Sequence, residues 1–461
     1  MVMISEEIKQ CLINELENLS IGVLGFGREG RSTFRFLRQI FPDKTISIID
    51  ANTALVNDIT LVNDKNISLF LGGNYLADAE SFDVIFKSPG ISLVNYNYQE
   101  SQKILSQADL FLRFFGSQTI GVTGTKGKST TVSLLKHILE GFYQHVLLIG
   151  NIGVPALDVV EMITNKTIIV FEFSSHQLEY VKHSPHIAIL LNLYQEHLDH
   201  YKDYKSYRNA KWKICEYQTK ADFFIYSIDE VQVVKDIDNK DVKSNKLKYS
   251  FNKKTGNFLS EDATFYFDEL KKIGFESSQF HLLGKHNLNN LMASLLAIQA
   301  LHLPLNKAIK LAMDFKSLPH RLEYVGEVKG VSFYNDSIAT IPEATIRAIE
   351  SVENVKTVIL GGFDRGIDYD ILVKFLNNYK PLNLILLGKV GDILESKLKD
   401  SYQGMIVKIT DFNQVVATAL SLSIKNTACL LSPAASSYDS FKNFEERGDK
   451  FKEQVNKLIQ K

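Results

Sequence analysis

The sequence predicts an α/β protein of three domains: a Rossmann-like N-terminal domain, a central P-loop domain on a parallel sheet, and a Rossmann-like C-terminal domain. Three observations predict it. Short apolar runs alternate with helical patterns along the chain, the rhythm of strand–helix–strand units on a parallel sheet. The rhythm restarts near Phe115 and again near Leu318. Two glycine loops, GFGREG and GVTGTKGKST, each stand between an apolar run and a helical run, where α/β folds hold phosphate. The expected domains are therefore 1–115, 116–318 and 319–461.

In the first domain IGVLGFG, TISIID and DVIFKSPG read as buried strands from Ile21, Thr45 and Asp83, with the helical REGRSTFRFLRQIF between the first two. The second opens with QTIGVTGTKGKSTTVSLLKHILEGF, a strand, a glycine turn and a helix, and continues with the strands HVLLIGN, TIIVFEFSS and IAILLNL. Residues 242–275 are polar and lysine-rich with short β-like runs, YSFN and TFYF, and are expected to form a peripheral hairpin region. After PHRLEYVGEV come VSFYNDS, TVILGG, LILLGK and ACLLSPA, strands of the third domain.

Composition narrows the class. The chain has 461 residues and a net charge of -1, so no global basic field points to nucleic acid or an anionic membrane. Cys11, Cys215 and Cys429 lie far apart, which argues against a disulfide framework and fits a reducing compartment. The start, MVMISEEIKQ, has early acids and no long apolar core, and no apolar run reaches the ~18 residues of a membrane span. A cytoplasmic monomer without nucleic-acid or membrane partners is expected.

GVTGTKGKST departs from the strict G-x-x-x-x-G-K-[ST] spacing: with Gly127 as the second glycine, the first falls on Val122. Gly121, Gly124 and Gly127 still supply three points where backbone can turn tightly or approach an anion. Gly124, Thr125, Gly127, Lys128, Ser129 and Thr130 are thus candidate ATP contacts, with Lys128 reaching the β- and γ-phosphates and a hydroxyl offered to Mg²⁺. Glu172 ends an apolar strand, as an Mg²⁺ ligand or simply a strand-end charge. His197 and His200 alone make a weak metal pair, and Lys211 alone reads as a solvated helix lysine. His286, Asn287 and Asn290 open a helix as caps or ligand-facing groups. In GFGREG, Gly25, Gly27 and Gly30 with Asp50 read as a dinucleotide fingerprint. These residues alone leave NAD and another diphosphate both open.

The loop G-x-T-G-T-x-G-K-[ST], the run NLYQEHLDH followed by YRNAK, and H-N-x-x-N resemble the Mur ligase family and the related folylpolyglutamate synthetases. The resemblance extends from Ile21 to about Phe451. It implies an ATP-dependent amide ligase that activates a carboxylate as an acyl phosphate. It implies two Mg²⁺ ions held by Ser129, Glu172, His197 and a carbamylated Lys211. It assigns Arg321 to the ATP phosphates, Asp336 to the ribose, and Asn287 and Asn290 to adenine. The catalytic set is then Lys128, His197, Lys211 and Arg321. The N-terminal domain is implied to hold a UDP-sugar through Gly25, Gly27, Asp50, Ser88 and Gly90, with Asn151 from the central domain. This reading is preferred to NAD because a second nucleotide site is present and the match runs through all three domains. The closing LSPAASSYDSFKNFEERG resembles that of the member joining D-glutamate to UDP-N-acetylmuramoyl-L-alanine, and places glutamate on Thr340, Arg365, Ser437 and Phe444. Ile338 stands where many relatives carry Lys. The rival readings are another enzyme of the group, such as a folylpolyglutamate synthetase or a ligase for a different amino acid, a nucleotide-binding protein without ligase activity, and an NAD-linked dehydrogenase.

Overall fold

The computed structural model describes residues 4–94, 96, 102–196, 200–251, 256–259, 264–267, 271–274, 282, 285–316, 318–398 and 401–460. The chain divides into two compact units, Met1–Ser277 with Asn289–Met313, and Ser278–Leu288 with Asp314–Lys461.

The first unit contains two sheets. The N-terminal one is built from β1 (Ile21–Leu24), β2 (Ile46–Asp50), β3 (Ile67–Leu71), β4 (Val84–Lys87) and β5 (Lys103–Leu105). All pairs are parallel, in the order β3-β2-β1-β4-β5. β1 and β4 are buried along their length, which explains their unbroken apolar character. Strand order reverses between β1 and β4, so the loops after them flank the crevice where such sheets bind ligands.

The central sheet comprises β6 (Thr119–Thr123), β7 (Val146–Gly150), β8 (Ile168–Glu172), β9 (Ile187–Leu190), β10 (Phe223–Ser227), β11 (Asn245–Ser250), β12 (Asn257–Leu259), β13 (Thr264–Phe267) and β14 (Lys271–Gly274). Its order is β14-β13-β12-β11-β10-β9-β6-β8-β7. The expected peripheral hairpin needs correction: β11 lies parallel to β10 as part of the main sheet, and only β12–β14 form an antiparallel margin. One apolar core joins the two sheets, with Phe34 and Phe111 in the same cluster as Phe171 and Trp212; Phe111 meets Phe171 edge-on at 5.7 Å.

The second unit holds β15 (Glu323–Val328), β16 (Val331–Asn335), β17 (Val355–Gly361), β18 (Asn383–Leu387), β19 (Ile406–Lys408) and β20 (Thr427–Leu431). They run in the order β15-β16-β20-β17-β18-β19. β15 and β16 form the sole antiparallel pair among these described strands. Their two-residue turn, Lys329 and Gly330, has φ of 53° and 82°, the left-handed pair that matches hairpin twist. Apolar clusters cover both faces of this sheet. Among the described residues, no helix is long and apolar enough to cross a membrane.

Candidate active site

β6 lies between β8 and β9 with Val122 opposite Glu172 and Thr123 opposite Leu190. Three neighbouring strand ends therefore deliver the glycine loop, Glu172 and Asn192 to one edge. Gly127 takes φ 86° and opens the helix Lys128–Glu140. A Cβ there would stand 2.6 Å from Asn290 Oδ1, so glycine lets the predicted Asn290 close on the loop. Asn192 braces the loop from behind: Lys126 N–H donates to its Oδ1 (2.8 Å), and its Nδ2 donates to Lys126 O (3.0 Å). Lys128 Nζ donates to Gly124 O and Thr125 O, both at 2.9 Å, and so lies over the mouth of the cradle. Thr130 is buried and Ser129 half-buried, which makes Ser129 the more available hydroxyl.

Glu172 is wholly buried. Its Oε1 accepts from Asn151 Nδ2 at 2.7 Å, while Oε2 has no hydrogen-bond partner among the described residues. A buried carboxylate oxygen left without a donor is costly and suits a cation. Lys211, on the helix Tyr204–Glu216, is also buried; its Nζ donates to Gly124 O at 2.9 Å. Burial first, and then the nearby Lys128, hold its ammonium well below the usual lysine range. The solvated-lysine reading is thereby set aside. Beside it Trp212 packs on Phe224 and donates its indole N–H to Asp236 at 3.1 Å. Among the described residues no cluster of three His, Cys, Asp or Glu side chains forms. His197 falls outside the described residues.

At the N-terminal switch point, Gly25 has φ 86°, and a Cβ on Gly30 would meet Gly25 O at 1.9 Å. Glycine at 30 is what lets the helix Arg28–Ile40 begin against the loop. Ser88 Oγ donates to Gly25 O at 2.6 Å. Asp50 accepts from Phe26 N–H (2.7 Å) and Asn52 N–H (2.8 Å), so it shapes the loop. Gly27 and Gly90 are exposed. Arg28 Nη2 donates to Gly150 O at 2.9 Å, which brings the loop carrying Asn151 to this crevice.

In the second unit Asp336 is buried, accepting from Ser432 Oγ (2.8 Å) and Leu322 N–H (3.2 Å). Burial pushes its carboxyl up to about 7, opposed by these bonds and by Arg321. Arg321 sits between His320 (φ 63°) and Leu322 (φ 44°), an unusual backbone for non-glycine residues. Its Nε is buried without a hydrogen-bond partner among the described residues. The residues predicted to meet glutamate lie on three segments. Phe363 N–H donates to Ser436 O at 2.9 Å, which ties the loop of exposed Arg365 to buried Ser437. Ser337 Oγ donates to Phe444 O at 2.8 Å, three residues from half-buried Thr340. Asn287 is buried in this unit, beside exposed His286.

Two features escaped the sequence. Buried Arg447 donates through Nε to Ser337 Oγ (3.0 Å) and through Nη2 to Ser337 O (2.9 Å) and Ala435 O (3.0 Å), tying both segments to the C-terminal helix Phe444–Ile459. Buried Lys87 pairs with Glu179 at 3.3 Å, and His200 Nε2 meets the same Glu179 oxygen at 3.2 Å. The available signals were an arginine in a helical turn and a lysine ending an apolar strand.

A family model of the Mur ligase middle domain matches residues 122–298. Two solved structures share the fold over nearly the whole chain: MurF ligase from Thermotoga maritima in complex with ADP (TM-score 0.57, 17% identity, 96% of each chain) and UDP-N-acetylmuramate-alanine ligase MurC from the same organism (TM-score 0.57, 17% identity, 95% of this chain and 100% of that one). With these matches, and curated relatives above 30% identity over almost their full length, the chain belongs to the Mur ligase family. The relatives in question are UDP-N-acetylmuramoylalanine–D-glutamate ligases. That of Clostridium kluyveri is 32% identical over 454 residues, covering 95% of this chain and 96% of the relative. That of Streptococcus pneumoniae serotype 19F is 31% identical over 459 residues, covering 97% and 99%.

Proposed function

We propose that the protein is a cytoplasmic, monomeric ligase that joins D-glutamate to UDP-N-acetylmuramoyl-L-alanine at the expense of ATP, in peptidoglycan precursor synthesis. The observation that carries this reading is the meeting of the glycine loop, Glu172 and Lys211 at one edge of the central sheet. The substrate carboxylate attacks the γ-phosphorus of ATP and ADP leaves. The amine of glutamate then attacks the acyl carbon, phosphate leaves, and the nitrogen gives up a proton. Loop N–H groups, the start of the helix Lys128–Glu140 and Lys128 would bear the phosphate charge, with Arg321 adding a cation. Asn290 and Asn287 would face adenine and Asp336 the ribose.

The residues fit magnesium. Glu172 offers an unpartnered oxygen, Ser129 a hydroxyl, and His197 and Lys211 complete the proposed set. Bound Mg²⁺ would neutralise the crowded oxygens of the transferred group. A neutral Lys211 amine adds CO₂ and releases one proton, turning a cation that would repel metal into a carbamate that can hold it. Withdrawal of bicarbonate should then lower the rate and its return restore it; indifference to bicarbonate removes the carbamate.

UDP-N-acetylmuramoyl-L-alanine would lie in the N-terminal crevice against Gly25, Gly27, Asp50, Ser88 and Gly90, with Asn151 reaching in. Glutamate would meet Thr340, Arg365, Ser437 and Phe444, Arg365 pairing with a carboxylate. Half-buried Ile338 leaves no lysine at that place in the segment. The deciding test is phosphate release with UDP-N-acetylmuramoyl-L-alanine and D-glutamate, L-glutamate, L-alanine or L-lysine in turn. Release with D-glutamate alone is expected; release only with L-lysine would overturn the assignment.

A further inference from the structure

Lys87 is the last residue of β4 and the root of the loop Ser88–Gly90, yet its side chain is 1% exposed. An ammonium taken so far from water needs a partner. The partner, Glu179, comes from the central sheet's side of the unit and is shared with His200. A second tie joins the loop after β4 directly to His200: Ser92 Oγ donates to His200 O at 3.1 Å. From His200 the contacts continue without a gap. Its ring lies 4.8 Å from that of Tyr201, and Tyr201 meets Tyr207 edge-on at 5.7 Å. Tyr207 Oη is 3.0 Å from Thr125 Oγ1 in the glycine loop, and Lys211 Nζ stands 5.0 Å from the Tyr207 ring centroid. Tyr201 and Tyr207 are both buried, so this is a packed column.

We infer that Lys87, Glu179 and His200, extended by Tyr201 and Tyr207, act as positioning residues that couple the loop after β4 to the ATP loop. Binding of a UDP-sugar on one and of a nucleotide on the other is then thermodynamically linked. A ligand that fixes Ser88–Gly90 fixes Lys87; Glu179 and His200 follow through their shared bond, and Tyr207 sets the hydroxyl of Thr125. Linkage of this kind is reciprocal: each ligand tightens the other by the same factor. The inference rests on the proposed substrates.

The test is calorimetric titration of the full chain with UDP-N-acetylmuramoyl-L-alanine, with and without a magnesium complex of a non-hydrolysable ATP analogue. The unaltered protein should bind the sugar nucleotide at least about fivefold more tightly in the presence of the analogue, the lower end of common coupling factors. Lys87→Met combined with Glu179→Met removes both buried charges together. It should bring that ratio to within about twofold of one, the scale of an uncoupled pair. Tyr207→Phe, which keeps the ring and deletes only the hydroxyl on Thr125, is a milder second cut, should the double variant fail to fold, and should lower the ratio too. A merely structural role would lower thermal stability and leave the ratio intact, and an intact ratio in a folded variant overturns the inference. Unaltered protein that binds both ligands independently also overturns it while sparing the proposed function. Binding of neither ligand removes both.

Discussion

Asp336→Asn is expected to stabilise the second unit, and to do so only where the acid is ionised. The carboxyl is buried, and burial pushes it up to about 7 from 3.8 despite bonds from Ser432 and Leu322. Below about pH 4 the acid is protonated in folded and unfolded chains alike, and it costs nothing. Between about pH 4 and 7 the folded chain keeps a proton that the unfolded chain has released, so stability falls as pH rises. Above 7 the full cost is present. A shift of about three pH units at about 1.36 kcal/mol each gives a ceiling of about 4 kcal/mol, which relaxation of the surroundings reduces to about 2 kcal/mol. Asparagine can hold the same geometry: its carbonyl accepts from Leu322 N–H, and its amide donates to Ser432 Oγ, whose own proton turns to Thr345 Oγ1 at 3.1 Å. Thermal unfolding read across pH 4 to 8.5 should show the variant level with the parent at the acid end. At pH 8 it should melt about 4–8 °C higher, at 2–4 °C per kcal/mol for a unit of this size. A gain that ignores pH, or a variant less stable at pH 8, would refute the reasoning.

Glu172→Gln keeps the acceptor for Asn151 Nδ2 and replaces the unpartnered oxygen by an amide that repels a cation. Changing groups that merely orient a metal's ligands costs about 10–100-fold, so phosphate release should fall at least about 100-fold with the melting temperature held; near-normal turnover would dismiss Glu172 as a ligand. Gly448→Ala places a Cβ 2.1 Å from His320 Nδ1, on a ring that Asn335 Nδ2 already holds at 3.0 Å. Although alanine favours a helix, overpacking of this kind costs about 1–3 kcal/mol, and denaturation in urea should show that loss; an unchanged midpoint would mean the ring moves freely.

Much of the architecture was legible because its signals are local. β1, β2, β4, β6 and β9 stand at the apolar runs that foretold them, and GVTGTKGKST becomes strand, turn and helix in that order. β3 is only half-buried and β5 has three residues, too little apolar contrast to stand out. β11 was misjudged because Asn245, Lys246 and Lys248 leave its outer half exposed while Tyr249 and Ser250 anchor it. The same rule divides the candidate site. The glycine loop and the YRNAK helix are contiguous and could be read directly, and burial of Lys211 gives its assignment a physical basis. Lys87 with Glu179 and Asn192 with Lys126 join residues 92 and 66 positions apart, and no spacing along the chain announces such pairs.

Trp212, the chain's sole tryptophan, follows Lys211 directly and is 1% exposed. Nature has thereby built an optical reporter one peptide bond from the residue on which the chemistry is proposed to depend. Indole emission answers to local polarity and to movement of the Asp236 carboxylate it touches. Events at the neighbouring amine can therefore be followed by light from the unlabelled protein, in stopped flow, with every other fluorescent group in the chain a dimmer tyrosine or phenylalanine.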